Sequence, residues 1–114
     1  MTQVGPQPML RLLGLLPAPT RAEMVRMYGE TLLGPLQGVG AALREPVDPE
    51  VVALVHKVAG SAAMMQDQDL SLPARALEHA LREGRLADAV ALWPQVREAA
   101  TRTLGALSAI TDNT

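Results

Sequence analysis

Cysteine is absent from all 114 residues, so the chain can build neither a disulfide framework nor a thiolate zinc site, and redox chemistry on its own side chains is not expected. The same absence suits a reducing compartment, the cytoplasm. Aromatic side chains are almost missing as well. Tyr28 and Trp93 are the only two, too few for the β-branched and aromatic surfaces that a β-sandwich pairs across its strands. Neither sign of charge dominates: ten Lys and Arg are mixed with twelve Asp and Glu for a net charge of −2, which leaves no basic block to hold a nucleic-acid backbone. No apolar run approaches the roughly 20 residues of a membrane span, and Met9-Leu10-Arg11-Leu12-Leu13-Gly14-Leu15-Leu16 is interrupted by a charge with no basic leader before it. Neither a P-loop nor a kinase-type glycine loop occurs, so no autonomous kinase activity is expected. His56 and His79, the two histidines, have neither a His-x-x-x-His nor a Glu-x-x-His partner, and no metal site is expected.

Leucine, alanine, valine and methionine fill the space left by these absences; hydrophobic residues make up 48% of the chain, ample for one core in one domain over residues 1–114. Residues 1–19 read as an amino-terminal capping segment whose short apolar helix covers the end of a bundle. Thr20 with Glu23 forms a capping box that starts a second helix. Its stripe of Met24, Met27, Tyr28, Thr31, Leu32, Leu36, Val39 and Leu43 is kinked at Gly34-Pro35 and runs to about Arg44. Asp48-Pro49-Glu50 carries an N-cap, a proline suited to the first turn and an acid at the positive helix end, so a third helix begins there. Gln66-Asp67-Gln68 ends it, with Asp67 or Asp69 capping a fourth helix striped by Leu70, Ala74, Leu77 and Leu81 and stopped by Gly84. Pro73 is expected close to the start of that helix.

A last helix from Arg85 or Leu86 carries Ala89, Leu92, Val96, Ala99, Thr103, Leu107 and Ile110, bends at Pro94 and frays in the polar tail Thr111 to Thr114. Short connections favour antiparallel neighbours. The expected fold is all-α, an antiparallel up-and-down four-helix bundle with a short extra N-terminal helix.

The third helix holds the most informative stretch. His56 shares its face with Val52, Ala53, Ala59, Gly60 and Ala63, all small, while Val51, Leu54, Val55, Val58, Ala62 and Met65 form the inward stripe. The imidazole is therefore expected to face water. Glycine inside a helix costs about 0.5–1 kcal/mol relative to alanine, so Gly60 needs a reason: close approach by another molecule, or tight packing of a neighbouring helix.

His56, Gly60 and Ser61 in the pattern His-x-x-x-Gly-Ser, followed by Leu70, Leu77-Glu78 and Gly84, resemble the histidine-phosphotransfer (HPt) domains of bacterial multistep phosphorelays over residues 48–108. The resemblance implies that His56 is the phosphorylation site. It would accept a phosphoryl group from a receiver-domain aspartate of a hybrid sensor histidine kinase and pass it to the receiver aspartate of a response regulator. No cofactor would sit on this chain, with Mg²⁺ belonging to the partner receiver. Lys57, Gly60 and Ser61 would form the phosphate environment, and Val52, Ala53, Ala59 and Ala63 the docking surface. Nε2 is the nucleophile by analogy.

Two departures from the family pattern stand out. Ala59 occupies the position of the usual lysine three residues after the histidine, and the nearest cation in sequence, Lys57, is turned about 100° around the helix. Gln66 stands where the family often has glycine. Ser61, turned about 140° from His56, reads as structural, and His79 as a plain surface residue. Two other readings remain open at this stage: a receiver-binding adaptor whose histidine is not phosphorylated, and a structural interaction bundle that docks through its N-terminal apolar helix.

Overall fold

Proline marks the start of three helices in the computed structural model, which describes residues 6–112. α1 (Gln7–Gly14) has Pro8 in its first turn, α2 (Ala18–Leu33) has Pro19, and α3 (Pro49–Met64) begins on proline itself. In each case a residue without an N–H stands where a helix has no acceptor for one. This displaces the expected capping box. α2 starts at Ala18 with no side-chain cap, Thr20 lies inside the helix, and Glu23 pairs with Arg26 instead. At α3 the expectation holds: Asp48 Oδ1 accepts from the Glu50 amide at 2.9 Å.

α2 does not kink and continue to Arg44. It stops at Leu33, because Pro35 can offer no amide to the helix ladder, and the chain proceeds as 3₁₀ turns over Pro35–Gly38 and Gly40–Ala42. Leu36 and Val39 remain buried, so the stripe keeps its inward direction after the helix has ended. Gly40 is required here, since a Cβ would come within 2.6 Å of Trp93 Nε1.

α4 (Gln68–Arg82) packs most extensively of all, against α3 on one side and α5 (Leu86–Asp112) on the other. Its expected stripe is sealed: Leu70, Ala74 and Leu77 are fully buried and Leu81 nearly so. Burying each leucine contributes about 2 kcal/mol. Pro73 sits inside the helix, not near its start, and leaves the Asp69 carbonyl without its ladder donor. Gly84, at φ +72°, turns the chain into α5. α5 continues through Pro94 as far as Thr111 and Asp112; Asn113 and Thr114 lie outside the described residues.

Neither Asp67 nor Asp69 caps α4 with its side chain. Asp69 takes two bonds from Arg102 of α5, at 2.8 and 3.1 Å. Asp67 is wholly buried, and its Oδ2 accepts from Tyr28 Oη of α2 and Thr103 Oγ1 of α5, each at 2.6 Å. The turn that presents it puts Gln66 at φ +58°, the left-handed conformation that glycine adopts most easily.

The three-residue connections on either side of α4 make α3, α4 and α5 antiparallel neighbours, and α2 closes the bundle against α5 and α3. α1 is the extra N-terminal helix, with Met9 and Leu13 fully buried; residues 1–5 of the expected capping segment lie outside the described residues. Arg21 of α2 fastens its end by donating to the Leu13 and Leu16 carbonyls at 3.0 and 2.9 Å. Among the described residues no helix is long and apolar enough to cross a membrane.

Candidate functional site

His56 is the eighth residue of α3, two turns beyond the Asp48 cap. Of the expected inward stripe, Leu54 is only half-buried, and Val51, Val55, Val58, Ala62 and Met65 are buried. At 100° per residue their arc is centred about 140° from His56, not diametrically opposite. Two consequences follow. The imidazole stands on the flank of α3 with its side chain 68% exposed. Ala59, placed in sequence on the histidine face and in the docking surface, lies at the near edge of the buried arc and is only 3% exposed, so it is a core residue and not a docking contact.

Ala53, Gly60 and Ala63 are exposed beside the ring and Val52 is half-buried. A Cβ built at Gly60 would meet nothing within 4 Å, which rules out tight packing of a neighbouring helix as the reason for that glycine. What glycine provides there is a low outer surface one turn from the imidazole.

The flank position brings His56 to a partner on α4. Its Nδ1 lies 2.8 Å from Glu78 Oε2, and the same oxygen accepts from Arg82 Nε at 2.8 Å and lies 2.8 Å from its Nη2. Burial alone would raise the pKa of Glu78, whose side chain is only 12% exposed; hydrogen bonds from Arg82 and His56 outweigh that and hold it below the ordinary carboxylate value. An ionised carboxylate has no proton to give, so the proton between them belongs to Nδ1. In the neutral ring this leaves the Nε2 lone pair on the exposed edge, where it has no partner among the described residues.

A profile of the Hpt domain family matches residues 23–106. The chain belongs to the Hpt domain family. No curated protein and no solved structure matches it. Hpt domains are phosphotransfer modules of phosphorelays, and receiver domains are their class of partner.

Within this Hpt domain the remaining candidates divide. Lys57 is exposed and forms no ion pair among the described residues, and the cation linked to the imidazole, through Glu78, is Arg82. Ser61 is half-buried at the α2–α3 seam, where it lines a cleft of about 190 Å³ with Met24, Tyr28, Thr31, Met64 and Met65. It is not gathered into the cluster around His56. His79 is an exposed residue of α4. Sequence reasoning placed Glu78 only as part of a pattern and missed Arg82 altogether. The available signal was their spacing, an acid followed four residues later by a base on one helix face.

Proposed function

We propose that this Hpt domain is a phosphorelay intermediate that carries the phosphoryl group on His56 Nε2. It accepts the group from an aspartyl phosphate of a hybrid kinase's receiver domain and passes it to a response regulator's receiver aspartate, in the cytoplasm and with Mg²⁺ held by the receiver. The single observation that carries this reading is the His56–Glu78 contact. A carboxylate 2.8 Å from Nδ1 selects the tautomer that leaves Nε2 nucleophilic, on a ring open to a partner.

The chemistry needs little else from this chain. As the Nε2–P bond forms, the P–O bond to the donor aspartate breaks and its electron pair returns to the donor carboxylate. The ring keeps its Nδ1 proton and gains positive charge, which Glu78 offsets. The exposed Ala53, Gly60 and Ala63, with half-buried Val52, form the surface on which the receiver would rest.

Incubating the protein with a phosphorylated receiver domain and Mg²⁺ tests the reading. An acid-labile label on His56, found by mass spectrometry and lost in His56→Ala, is the expected result. An acid-stable label, or one that persists in His56→Ala, overturns it, and receiver binding without transfer would make the chain an adaptor.

A further inference from the structure

A phosphoryl group on His56 Nε2 carries between one and two negative charges, on a ring whose other nitrogen already meets the carboxylate of Glu78, a further negative charge. Neutralising the transferred oxygens is most of what a protein contributes to this reaction, so a cation is needed nearby. Position 59 cannot provide it as the sequence stands, since Ala59 is buried in the core. Lys57 is exposed, rotated about 100° from His56, and pairs with no acid among the described residues.

Arg82 is already in place. Its Nε and Nη2 each lie 2.8 Å from the Glu78 oxygen that His56 Nδ1 also meets at 2.8 Å, so these guanidinium nitrogens are no farther from Nδ1 than twice that length, with Nε2 on the next corner but one of the same ring. Its side chain is 54% exposed and free to turn toward solvent. A guanidinium presents five donors in a planar fork that matches phosphate oxygens in pairs, and it stays charged throughout.

We infer that Arg82 is the phosphate-binding cation of this site, standing in for the lysine absent at position 59. Glu78 holds the guanidinium beside the imidazole before transfer, and part of the fork moves onto the phosphoryl oxygens as the Nε2–P bond forms. Resting on His56 as the phosphorylated residue, this gives Glu78 two duties: orienting the ring and storing the cation.

The test measures transfer from a phosphorylated receiver domain into the full chain, with folding checked by helical circular dichroism. Arg82→Ala is expected to slow transfer by about tenfold or more, Arg82→Lys to recover part of the loss, and Lys57→Ala to stay within about twofold. The Arg82→Ala loss should persist when Glu78 is already Gln, because Arg82 acts on the phosphoryl group and not only through Glu78. Should Arg82→Ala fold poorly, Arg82→Gln provides the same comparison. An Arg82→Ala rate within about twofold of wild type, a loss that vanishes in the Glu78→Gln background, or a tenfold loss in Lys57→Ala alone overturns the assignment. In each of those outcomes His56 is still labelled, whereas a wild-type chain with no label on His56 overturns the proposed function as well.

Discussion

Two carboxylates on α4 and its approach are removed from water, and they meet opposite fates. Glu78 faces an arginine and a histidine, and these partners hold its pKa below the ordinary value against the pull of burial. Asp67 faces two hydroxyls. Burial raises its pKa, hydrogen bonds from Thr103 and Tyr28 offset only part of that, and Asp69 adds to the rise. Its Oδ1 has no partner among the described residues. Burial also raises the pKa of Tyr28, which keeps the phenol protonated as a donor. Depth alone therefore does not decide whether a carboxylate stays charged; the charge of what it touches does. One carboxylate sits at the rim, where an ionised acceptor can orient a histidine. The other sits in the interior, where it joins α2 to α5 through the turn before α4.

The sharpest break of this comparison is Glu78→Gln. An amide can still reach Nδ1 but neither fixes the tautomer nor offsets ring charge, and transfer into His56 should fall by about 10- to 100-fold, the scale seen when a carboxylate orienting a histidine is lost. Stopped-flow or quench measurements with a phosphorylated receiver would read it. Tyr28→Phe strikes the interior pair: Asp67 loses one of two hydroxyl donors, and urea denaturation should show a loss of about 1–3 kcal/mol, with transfer by the folded protein unchanged.

Asp67→Asn acts through pH. The native state retains a proton on Asp67 that the unfolded chain has released, so the contribution of this group to stability falls as pH rises from about 4, by up to about 1.4 kcal/mol per pH unit until the folded value is passed. The amide oxygen keeps both hydroxyl contacts without titrating, and the difference in denaturation midpoint between about pH 4 and pH 7 should shrink. Glu78 has the reverse sign: its contribution is present above the ordinary carboxylate pKa and is lost as pH falls below it. The smallest effect is expected from Gln66→Gly, which relieves the left-handed turn that presents Asp67 and should stabilise by about 0.5–1 kcal/mol in the same assay.

Much of this was legible in the order of residues, because helical periodicity and caps are local. The Asp48 cap, the stripe Leu70, Ala74, Leu77 and Leu81, the stop at Gly84 and the exposure of His56 all follow from spacings of a few residues. Failures arose where two local signals competed. Pro17 and Pro19 overruled the Thr20 capping box, and Pro35 ended α2 where a kink was expected. Asp67 carried an N-cap signature and was taken instead by hydroxyls 36 and 39 residues away in sequence.

The sequence by itself determined an all-helical chain with a histidine on the outside of its third helix, because a pattern of period 3.6 leaves one face of that helix without a core to enter. Tertiary structure alone decided what the histidine touches. The rotation of α3 against α4 set His56 beside Glu78 and Arg82, 22 and 26 residues further along, and turned Ala59 into the core. Neither contact has a local signature, since the angle at which two helices meet depends on every side chain packed between them.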